Sequence, residues 1–144
     1  MAGSNVVLRG FQAKIESLYD MLAFVREEAH RAGFTPKHIS KIELASEEAL
    51  VNIISYAYLD DKTADTVIEI ECSYLTEGGI KILLKDRGQE YNPLDYHGKF
   101  NPKNPTDTKV GGYGIFLITK LMDHVHYERD NGYNVLTLIK RIGS

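Results

Sequence analysis

The sequence predicts an α+β protein, a two-layer α/β sandwich in which helices cover one face of a mostly antiparallel sheet. Apolar residues recur with the period of a helix in two long segments of the N-terminal half. Strand-like runs elsewhere come in neighbouring pairs, and a short turn that contains glycine separates the members of each pair. Strands joined by such turns pair antiparallel, and the helices then form the second layer.

A strand and two helices are predicted in the N-terminal part. Val6 to Phe11 is strand-like, and the residues from about Ile15 to Ala32 have helical spacing. Gly33 then ends the first helix, as glycine commonly does at a helix C-terminus. The dipeptide Thr35-Pro36 predicts the start of a second helix that runs to about Tyr58, because threonine is a good N-cap and proline suits the first helical position.

Two strand pairs, a long loop and a third helix are predicted in the remainder. In chain order these are strands at Val67–Leu75 and Ile80–Lys85, a loop at Arg87–Val110, a helix at Gly114–Met122 and strands at His124–Glu128 and Tyr133–Lys140. The turns of the two hairpins are predicted at Glu77–Gly79 and Asp130–Gly132. A loop as long as the predicted one is usually functional in a compact domain.

Composition narrows the class of protein. The 144 residues suit a single domain over 1–144 with a sizeable core, and 43% hydrophobic with 26% charged residues is ordinary for a soluble protein. A net charge of −3 argues against direct nucleic-acid binding. We expect neither a signal peptide nor a membrane span. Cys72 has no partner for a disulfide, and we expect it to be a buried small hydrophobe in a cytoplasmic protein.

The second helix carries a carboxylate and an amide four residues apart, Glu48 and Asn52, within the segment EEALVN. Side chains at i and i+4 share one face of a helix. This helix is apolar on nearly every side, so we expect it to be buried, and buried carboxylates and amides need partners. Taken alone, the pattern fits solvated glutamates beside a satisfied core asparagine equally well.

Asp86 and Gly88 come directly after the apolar strand at Ile80–Lys85, in the segment DRG. A carboxylate at this place could accept a proton from the exocyclic amine of adenine, where guanine carries an oxygen. An Asp shortly before a Gly at a strand end is more often a turn residue. The segment by itself is therefore weak support for a nucleotide site.

The segment GGYG (Gly111 to Gly114) precedes and opens an amphipathic helix. Glycines let backbone amides approach phosphate oxygens, and a helix N-terminus adds partial positive charge. An isolated GGxG is more often a flexible hinge. No strand immediately precedes this segment, which disfavours a Rossmann fingerprint, and the P-loop pattern GxxxxGK[ST] does not occur.

Other chemistry has less support. His124 and His126 alternate along a predicted strand, and no Cys or acidic residue recurs with metal-ligand spacing, so ordinary core or surface histidines are favoured over a metal site. Ser55 and Ser73 lie in apolar runs without a nearby His/Asp pattern, so a hydrolase triad has no support.

Taken in order, these segments resemble the GHKL ATPases of the gyrase, heat-shock chaperone, histidine kinase and mismatch-repair type. They are more closely similar to the small stand-alone branch, the bacterial anti-sigma factor serine/threonine kinases of the RsbW and SpoIIAB kind. The resemblance runs from about Lys37 to Arg141 and rests on EEALVNIISYAY, LLKDRGQEYNP and GGYGIFLITKLMDHVHYER with NGYNVLTLIKR. It implies a histidine kinase-like ATPase fold with a mixed sheet, ATP and Mg²⁺ as cofactors, and a mobile lid.

The resemblance also implies a role for each motif. Glu48 matches the family's general base, the side-chain oxygen of Asn52 its magnesium ligand, and Asp86 with Gly88 its adenine-reading pair. The lid corresponds to roughly residues 93–110, within the long predicted loop. The other residues that we expect to bind ATP are Tyr91, Lys109, Gly111, Gly112, Tyr113 and Gly114.

The chain departs from the family pattern at three places. Tyr56 stands where members often have His, and Tyr91-Asn92-Pro93 replaces hydrophobic-Asp-Pro. Val110 stands where some members have an Arg that contacts the terminal phosphate, with Lys109 beside it as a point charge that substitutes less well than a guanidinium. We expect these departures to affect the turnover of the kinase reaction more than the binding of the nucleotide.

We therefore expect an ATP-binding serine/threonine protein kinase and anti-sigma factor-like regulator that phosphorylates an anti-anti-sigma-type partner and binds a sigma factor. A second interpretation, motivated by Val110, is a catalytically weak ATP/ADP-binding module that sequesters a sigma factor or another partner. A third, a detached histidine-kinase catalytic domain, is disfavoured because no helix with a phospho-accepting His precedes the ATP region. Homodimers are common in the family, and the sequence neither supports nor opposes one here.

Overall fold

The computed structural model describes residues 6–57, 66–96 and 112–143. These residues form five strands and three α-helices, in the order β1 (Val6–Gln12), α1 (Leu18–Arg31), α2 (Pro36–Asn52), β2 (Val67–Tyr74), β3 (Gly79–Asp86), α3 (Gly112–Leu121), β4 (His124–Asp130) and β5 (Tyr133–Arg141). The predicted order of strands and helices is confirmed.

The five strands form one sheet in the order β1-β2-β3-β5-β4, and each neighbouring pair is antiparallel. The predicted two-layer α+β architecture with a mostly antiparallel sheet is confirmed. No parallel pair, such as a mixed sheet would contain, occurs among the strands in the described part of the chain.

The core lies between one face of the sheet and the helices. Strand residues alternate, so that every second side chain of β2, β3 and β5 points into the core. The inward apolar residues are Ile68, Ile70, Cys72, Ile80, Ile82, Leu84, Leu136 and Leu138, and α1 contributes Met21, Leu22, Phe24 and Val25. Each large apolar side chain buried in this way stabilises the fold by roughly 1.5–3 kcal/mol.

The N-terminal helices begin and end close to their predicted limits. The segment Ile15–Ser17 is a short 3₁₀ turn, and the α-helix itself begins at Leu18. The amide of Gly33 donates to the carbonyl of His30 (3.0 Å), which closes the helix end. The predicted start of α2 at Thr35-Pro36 is confirmed, although the hydroxyl of Thr35 bonds His38 Nδ1 (3.1 Å) and not a backbone amide.

The prediction that α2 is buried all round is wrong. Leu44 is 39% exposed and Val51 is partly exposed, so the helix is amphipathic, and the described residues form no further layer over its outer face. The α-helix ends at Asn52 and continues as a π-helical turn at Ile53–Ala57, and Tyr58 lies outside the described residues. Turns of this kind inside helices occur frequently at functional sites.

A buried carboxylate of α1 links this helix to β2 by a hydrogen bond. Glu28 of α1 is 1% exposed; its Oε1 accepts a hydrogen bond from the hydroxyl of Tyr74 (2.6 Å), and its Oε2 accepts one from Arg31 (2.9 Å). Burial raises the pKa of Tyr74 to about 12. These partners compensate for the removal of the carboxylate from water.

Both hairpin turns lie where they were predicted. In the second, Asn131 and Gly132 have φ values of +52° and +84°, as a tight turn of matching twist requires. Cys72 is buried as expected, and burial raises the pKa of its thiol to about 12, so it is an inert thiol. In the described ranges, no helix has the length and apolarity needed to cross a membrane.

Candidate functional site

The last turn of α2 holds an amide that is fixed by its own helix. Asn52 is 2% exposed, and its Nδ2 donates to the backbone carbonyl of Glu48, four residues earlier (2.8 Å). This bond fixes which end of the amide is oxygen. Oδ1 then faces Tyr91, whose hydroxyl donates to it over 3.4 Å. The oxygen of Asn52 is thus the end of the amide that points away from its helix.

The carboxylate of Glu48 lies on the same face of α2, partly exposed. Burial raises the pKa of Glu48, and the neighbouring charge of Glu47 raises it further. Its carboxylate accepts no hydrogen bond from the residues that the structure describes. A carboxylate that has a raised pKa and no hydrogen-bond donor among the described residues is suited to accept a proton.

Gly114 brings the start of α3 against these two side chains. A β-carbon at Gly114 would lie 2.7 Å from Glu48 Oε1 and 3.2 Å from Asn52 Nδ2, so only glycine fits without displacing them. Since α3 begins at Gly112, the unpaired amides of its first turn lie at this end of the helix. Their partial positive charge suits an anion.

Asp86 ends β3 and is 1% exposed. Its Oδ1 accepts hydrogen bonds from the amide of Gly88 (2.9 Å) and from Asn134 Nδ2 (2.9 Å), whereas Oδ2 accepts none from described residues. Burial raises the pKa of Asp86, and the two hydrogen bonds with the charge of Arg129 offset part of that effect. Oδ2 is therefore the carboxylate oxygen that has no hydrogen-bond donor among the described residues.

Tyr91 connects the two halves of the site, of which one is formed by Asp86 and the other by Glu48, Asn52 and Gly114. Its amide donates to Asn134 Oδ1 (3.2 Å), and its hydroxyl donates to Asn52 Oδ1 (3.4 Å). Hydrogen bonds thus link Asp86 to Asn134, Asn134 to Tyr91, and Tyr91 to Asn52. Glu48 and Gly114 lie at the end of this series, beside Asn52.

The structure brings together six of the predicted site residues, namely Glu48, Asn52, Asp86, Gly88, Tyr91 and Gly114. Gly112 opens α3, and Tyr113 follows it in the first turn. Lys109, Val110 and Gly111 lie outside the described residues, as does the predicted lid except for a 3₁₀ turn at Pro93–Tyr96.

Sequence reasoning missed Asn134. It stands in β5 at the position that pairs with Asp86, and it is 4% exposed. A signal was present: in YNVLTLIK, Asn134 shares the inward face with Leu136 and Leu138, where an apolar residue is expected. A polar side chain at such a place needs buried partners.

The residues present fit a magnesium nucleotide. An amide oxygen is a ligand that Mg²⁺ accepts, and this ion usually keeps waters and phosphate oxygens as its other ligands, so Asn52 suffices. Because Gly114 has no side chain, phosphate oxygens can approach the backbone amides at the start of α3. Among the described residues, no group of three or more His, Cys, Asp or Glu side chains could hold a metal ion by itself.

Comparison with known proteins gives consistent matches. Residues 11–140 match the family described as the histidine kinase-like ATPase domain. A protein of Oceanobacillus iheyensis named serine-protein kinase RsbW is 30% identical over 117 residues, which cover 78% of this chain and 71% of that protein. The RsbW of Halalkalibacterium halodurans is 33% identical over 116 residues, which cover 78% and 68%.

Solved structures share the fold at lower identity. The crystal structure of the RsbU and RsbW domains of Rv1364c from Mycobacterium tuberculosis has a TM-score of 0.65 at 18% identity and covers 94% of this chain and 32% of that one. The SiaB–SiaC complex from Pseudomonas aeruginosa has a TM-score of 0.59 at 12% identity and covers 97% and 92%. These two similarities concern the fold alone.

Proposed function

This chain belongs to the histidine kinase-like ATPase family, and from that premise we propose that it is an ATP-dependent serine/threonine protein kinase. The observation that carries the proposal is the contact of Gly114 with Glu48 and Asn52. The contact brings together the carboxylate that we propose as the base, the amide that we propose as the metal ligand and a helix N-terminus. The relatives named serine-protein kinase RsbW, at 30% and 33% identity, support the same activity.

Asp86 would recognise the base of the nucleotide. Because its Oδ1 is engaged by Gly88 and Asn134, Oδ2 is the oxygen that would accept a proton from the exocyclic amine of adenine. Guanine has an acceptor at that position, and an acceptor facing a buried carboxylate is unfavourable. We therefore expect a strong preference for adenine nucleotides.

Asn52 and α3 would bind the phosphates. Asn52 Oδ1 would ligate the magnesium ion, and the first-turn amides from Gly112 onward would donate to phosphate oxygens. A bound magnesium ion supplies neutralisation of the charge on the phosphates. These residues position the terminal phosphoryl group, and positioning with electrostatic stabilisation accounts for most of the catalysis of phosphoryl transfer.

Glu48 would act as the general base. The hydroxyl oxygen of a Ser or Thr on the partner protein attacks the terminal phosphorus, its proton passes to the Glu48 carboxylate, and the bond to the leaving ADP oxygen breaks. The raised pKa of Glu48 favours this proton transfer near neutral pH. We propose an anti-anti-sigma-type protein as the substrate and a sigma factor as a second partner, as an anti-sigma factor-like regulator requires.

The test uses the purified full chain with radiolabelled ATP, Mg²⁺ and an anti-anti-sigma-type protein as phosphate acceptor. We expect transfer to a Ser or Thr of that protein, and a loss of about 10²–10⁴-fold in Glu48→Gln. Glu47→Gln, one residue away, is the matched control and should retain transfer within a few fold. Equal transfer by Glu48→Gln and the unmodified chain would exclude Glu48 as the base.

One further outcome identifies a different function. Tight binding of ATP and ADP without detectable transfer to the acceptor would indicate a regulatory binding module that sequesters its partner. Calorimetry with both nucleotides, on the same preparation that is used for the transfer assay, separates this outcome from an inactive sample.

A further inference from the structure

Asn134 occupies the centre of a polar cluster beneath the segment that follows β3. We propose that Asn134 is a positioning residue for nucleotide binding, which fixes Asp86 and residues 88–91 in the geometry that the adenine base requires. The inference rests on the proposed function, since it concerns the same site. It assigns a role to a residue that would not itself touch the reacting atoms.

The amide nitrogen of Asn134 uses both of its protons. Nδ2 donates to Asp86 Oδ1 (2.9 Å) and to the backbone carbonyl of Gln89 (2.9 Å). One end of the amide therefore holds both the carboxylate at the end of β3 and the backbone three residues later.

The amide oxygen of Asn134 is shared by three donors. Oδ1 accepts from the amide of Tyr91 (3.2 Å), from the hydroxyl of Tyr127 (2.5 Å) and from Arg129 Nη1 (3.2 Å). A flipped amide would place its NH₂ group against these donors, so the orientation of Asn134 is unambiguous. Tyr127 and Arg129 both belong to β4, so the edge strand of the sheet supports the cluster.

The segment after β3 is held at several points by this cluster. Arg129 Nη1 also donates to the carbonyl of Gly88 (2.9 Å), while Asn134 holds Gln89 and Tyr91. Because Asp86 Oδ1 is occupied by the same amide, Oδ2 is the oxygen left for the base. The segment then continues to Tyr91, whose hydroxyl reaches Asn52, so the cluster also sets the distance between the two halves of the site.

Stability alone does not explain an asparagine at this position. Asn134 is 4% exposed and shares its face of β5 with Leu136 and Leu138. Replacing all members of a buried polar cluster by well-packed apolar groups is often neutral or stabilising, whereas a leucine at position 134 alone would leave Asp86 and Tyr127 each short of a hydrogen bond. An amide instead supplies donors to Asp86 without adding a second negative charge.

The decisive variant is Asn134→Asp, which keeps the shape of the side chain. Its ionised carboxyl would still accept from Tyr91, Tyr127 and Arg129, but it would repel Asp86. Its protonated carboxyl would donate to Asp86 as the amide does. The charged or titratable groups that face this position are Asp86 of β3, Tyr127 and Arg129 of β4, and Glu90 beyond Tyr127.

The measurement is ADP affinity by calorimetry without Mg²⁺, at about pH 6 and about pH 9, for the variant relative to the unmodified chain. We expect Asn134→Asp to bind ADP at least about 10-fold more weakly than the unmodified chain at the higher pH and with a smaller loss at the lower pH, because a proton shared by the two carboxyls there reduces the repulsion of like charges. A role in folding alone would not produce this pH-dependent ratio while thermal unfolding stays cooperative.

A second variant keeps the test decisive if Asn134→Asp does not fold. Arg129 is exposed overall, so Arg129→Ala should fold, and it should weaken ADP binding several fold by releasing Gly88. Thr137→Ala, on the opposite face of β5, is the control and should bind ADP normally.

The outcomes separate the two hypotheses. If the unmodified chain binds no ADP, the proposed function is wrong, and this inference fails with it. If the unmodified chain binds ADP and every folded variant matches it at both pH values, Asn134 has no positioning role, and the proposed function stands.

Discussion

Gly114 lies so close to Glu48 that a β-carbon on the glycine would stand 2.7 Å from the carboxylate oxygen Oε1. The two residues are 66 positions apart in the sequence and belong to different helices, α2 and α3. Their contact is what makes α2 and α3 one site. It explains why the third helix must open with a residue that has no side chain at this place.

Gly114→Ala should weaken nucleotide binding without lowering the stability of the fold. Alanine favours a helix over glycine by about 1 kcal/mol, and the clash falls on the ends of two side chains, Glu48 and Asn52. We therefore expect an unchanged or slightly higher melting temperature with at least about a 10-fold loss of nucleotide affinity, because the amide and the carboxylate are displaced. Thermal unfolding and calorimetry on the same sample measure both.

The matched control for this variant is Gly10→Ala in β1. An added β-carbon there would meet only Val67 Cγ1, at an ordinary distance of 3.4 Å, and we expect normal nucleotide binding. Equal nucleotide affinity of Gly114→Ala and the unmodified chain would show that α3 does not approach the phosphates.

Asp86→Asn should reduce the discrimination between purines. If the amide oxygen keeps the hydrogen bonds of Gly88 and Asn134, an NH₂ group replaces the carboxylate oxygen that faces the base. A donor then opposes the amine of adenine and suits the oxygen of guanine, which should cost ATP about 1–3 kcal/mol of binding free energy. Competition between ATP and GTP for binding measures the change.

The control for Asp86→Asn is Asp130→Asn, at the exposed end of β4. It removes the same charge away from the site and should leave the ratio of ATP to GTP affinity unaltered. A variant at Asp86 that still prefers ATP as strongly as the unmodified chain would refute the assignment of adenine recognition to this carboxylate.

The rate of phosphoryl transfer should depend on pH through Glu48. A general base acts when it is ionised, so the rate falls as the pH drops through the pKa of Glu48. Because burial and Glu47 raise that pKa, the fall begins at a higher pH than for an ordinary glutamate. Glu47→Gln removes one of the two causes and should move the acid limb of the kcat/KM profile to lower pH.

A second variant checks whether the acid limb of the pH profile reports Glu48. Glu43→Gln changes a carboxylate on the same helix that is paired with Arg26 (2.8 Å), and it should leave the acid limb in place. An acid limb that stays fixed in Glu47→Gln as well would mean that another group titrates.

Tyr91→Phe should weaken the magnesium-dependent part of ATP binding. The hydroxyl donates to Asn52 Oδ1 and helps to orient the oxygen that would ligate the ion. Since a hydrogen bond contributes about 0.5–1.5 kcal/mol net, we expect the gain in ATP affinity on adding Mg²⁺ to shrink by about 2- to 10-fold. Affinity without Mg²⁺ should change little.

Tyr133→Phe is the companion variant, because it removes a hydroxyl and keeps the ring that lies under Arg87 (4.8 Å). It should show the magnesium effect of the unmodified chain. A Tyr91→Phe protein with an undiminished magnesium effect would leave the bond between Tyr91 and Asn52 without a role in metal binding.

Several parts of the site could be predicted from local sequence because local geometry determines them. The spacing of Glu48 and Asn52 places both on one helix face whatever surrounds them. Asp86 follows an apolar strand and precedes Gly88, and the structure shows the corresponding hydrogen bond over two residues. The exact end of the α-helix could not be predicted, since the change from α- to π-helical turn after Asn52 has no signature in the periodicity.

The amphipathic character of α2 was mispredicted for a related reason. An apolar side chain such as Leu44 indicates burial only if another layer lies over it, and the helices in the described part of the chain form a single layer on one face of the sheet. The number of layers is a property of the whole fold.

The sequence by itself determined the strands, the helices and the motifs, because hydrogen bonding within a helix, a hairpin or a turn depends on neighbours in the chain. Only the tertiary structure decided that Gly114 meets Glu48, that Tyr91 reaches Asn52 and that Asn134 holds Asp86. These contacts join residues that are far apart in sequence. Their geometry depends on strand register and on how closely the helices pack, which no local pattern encodes.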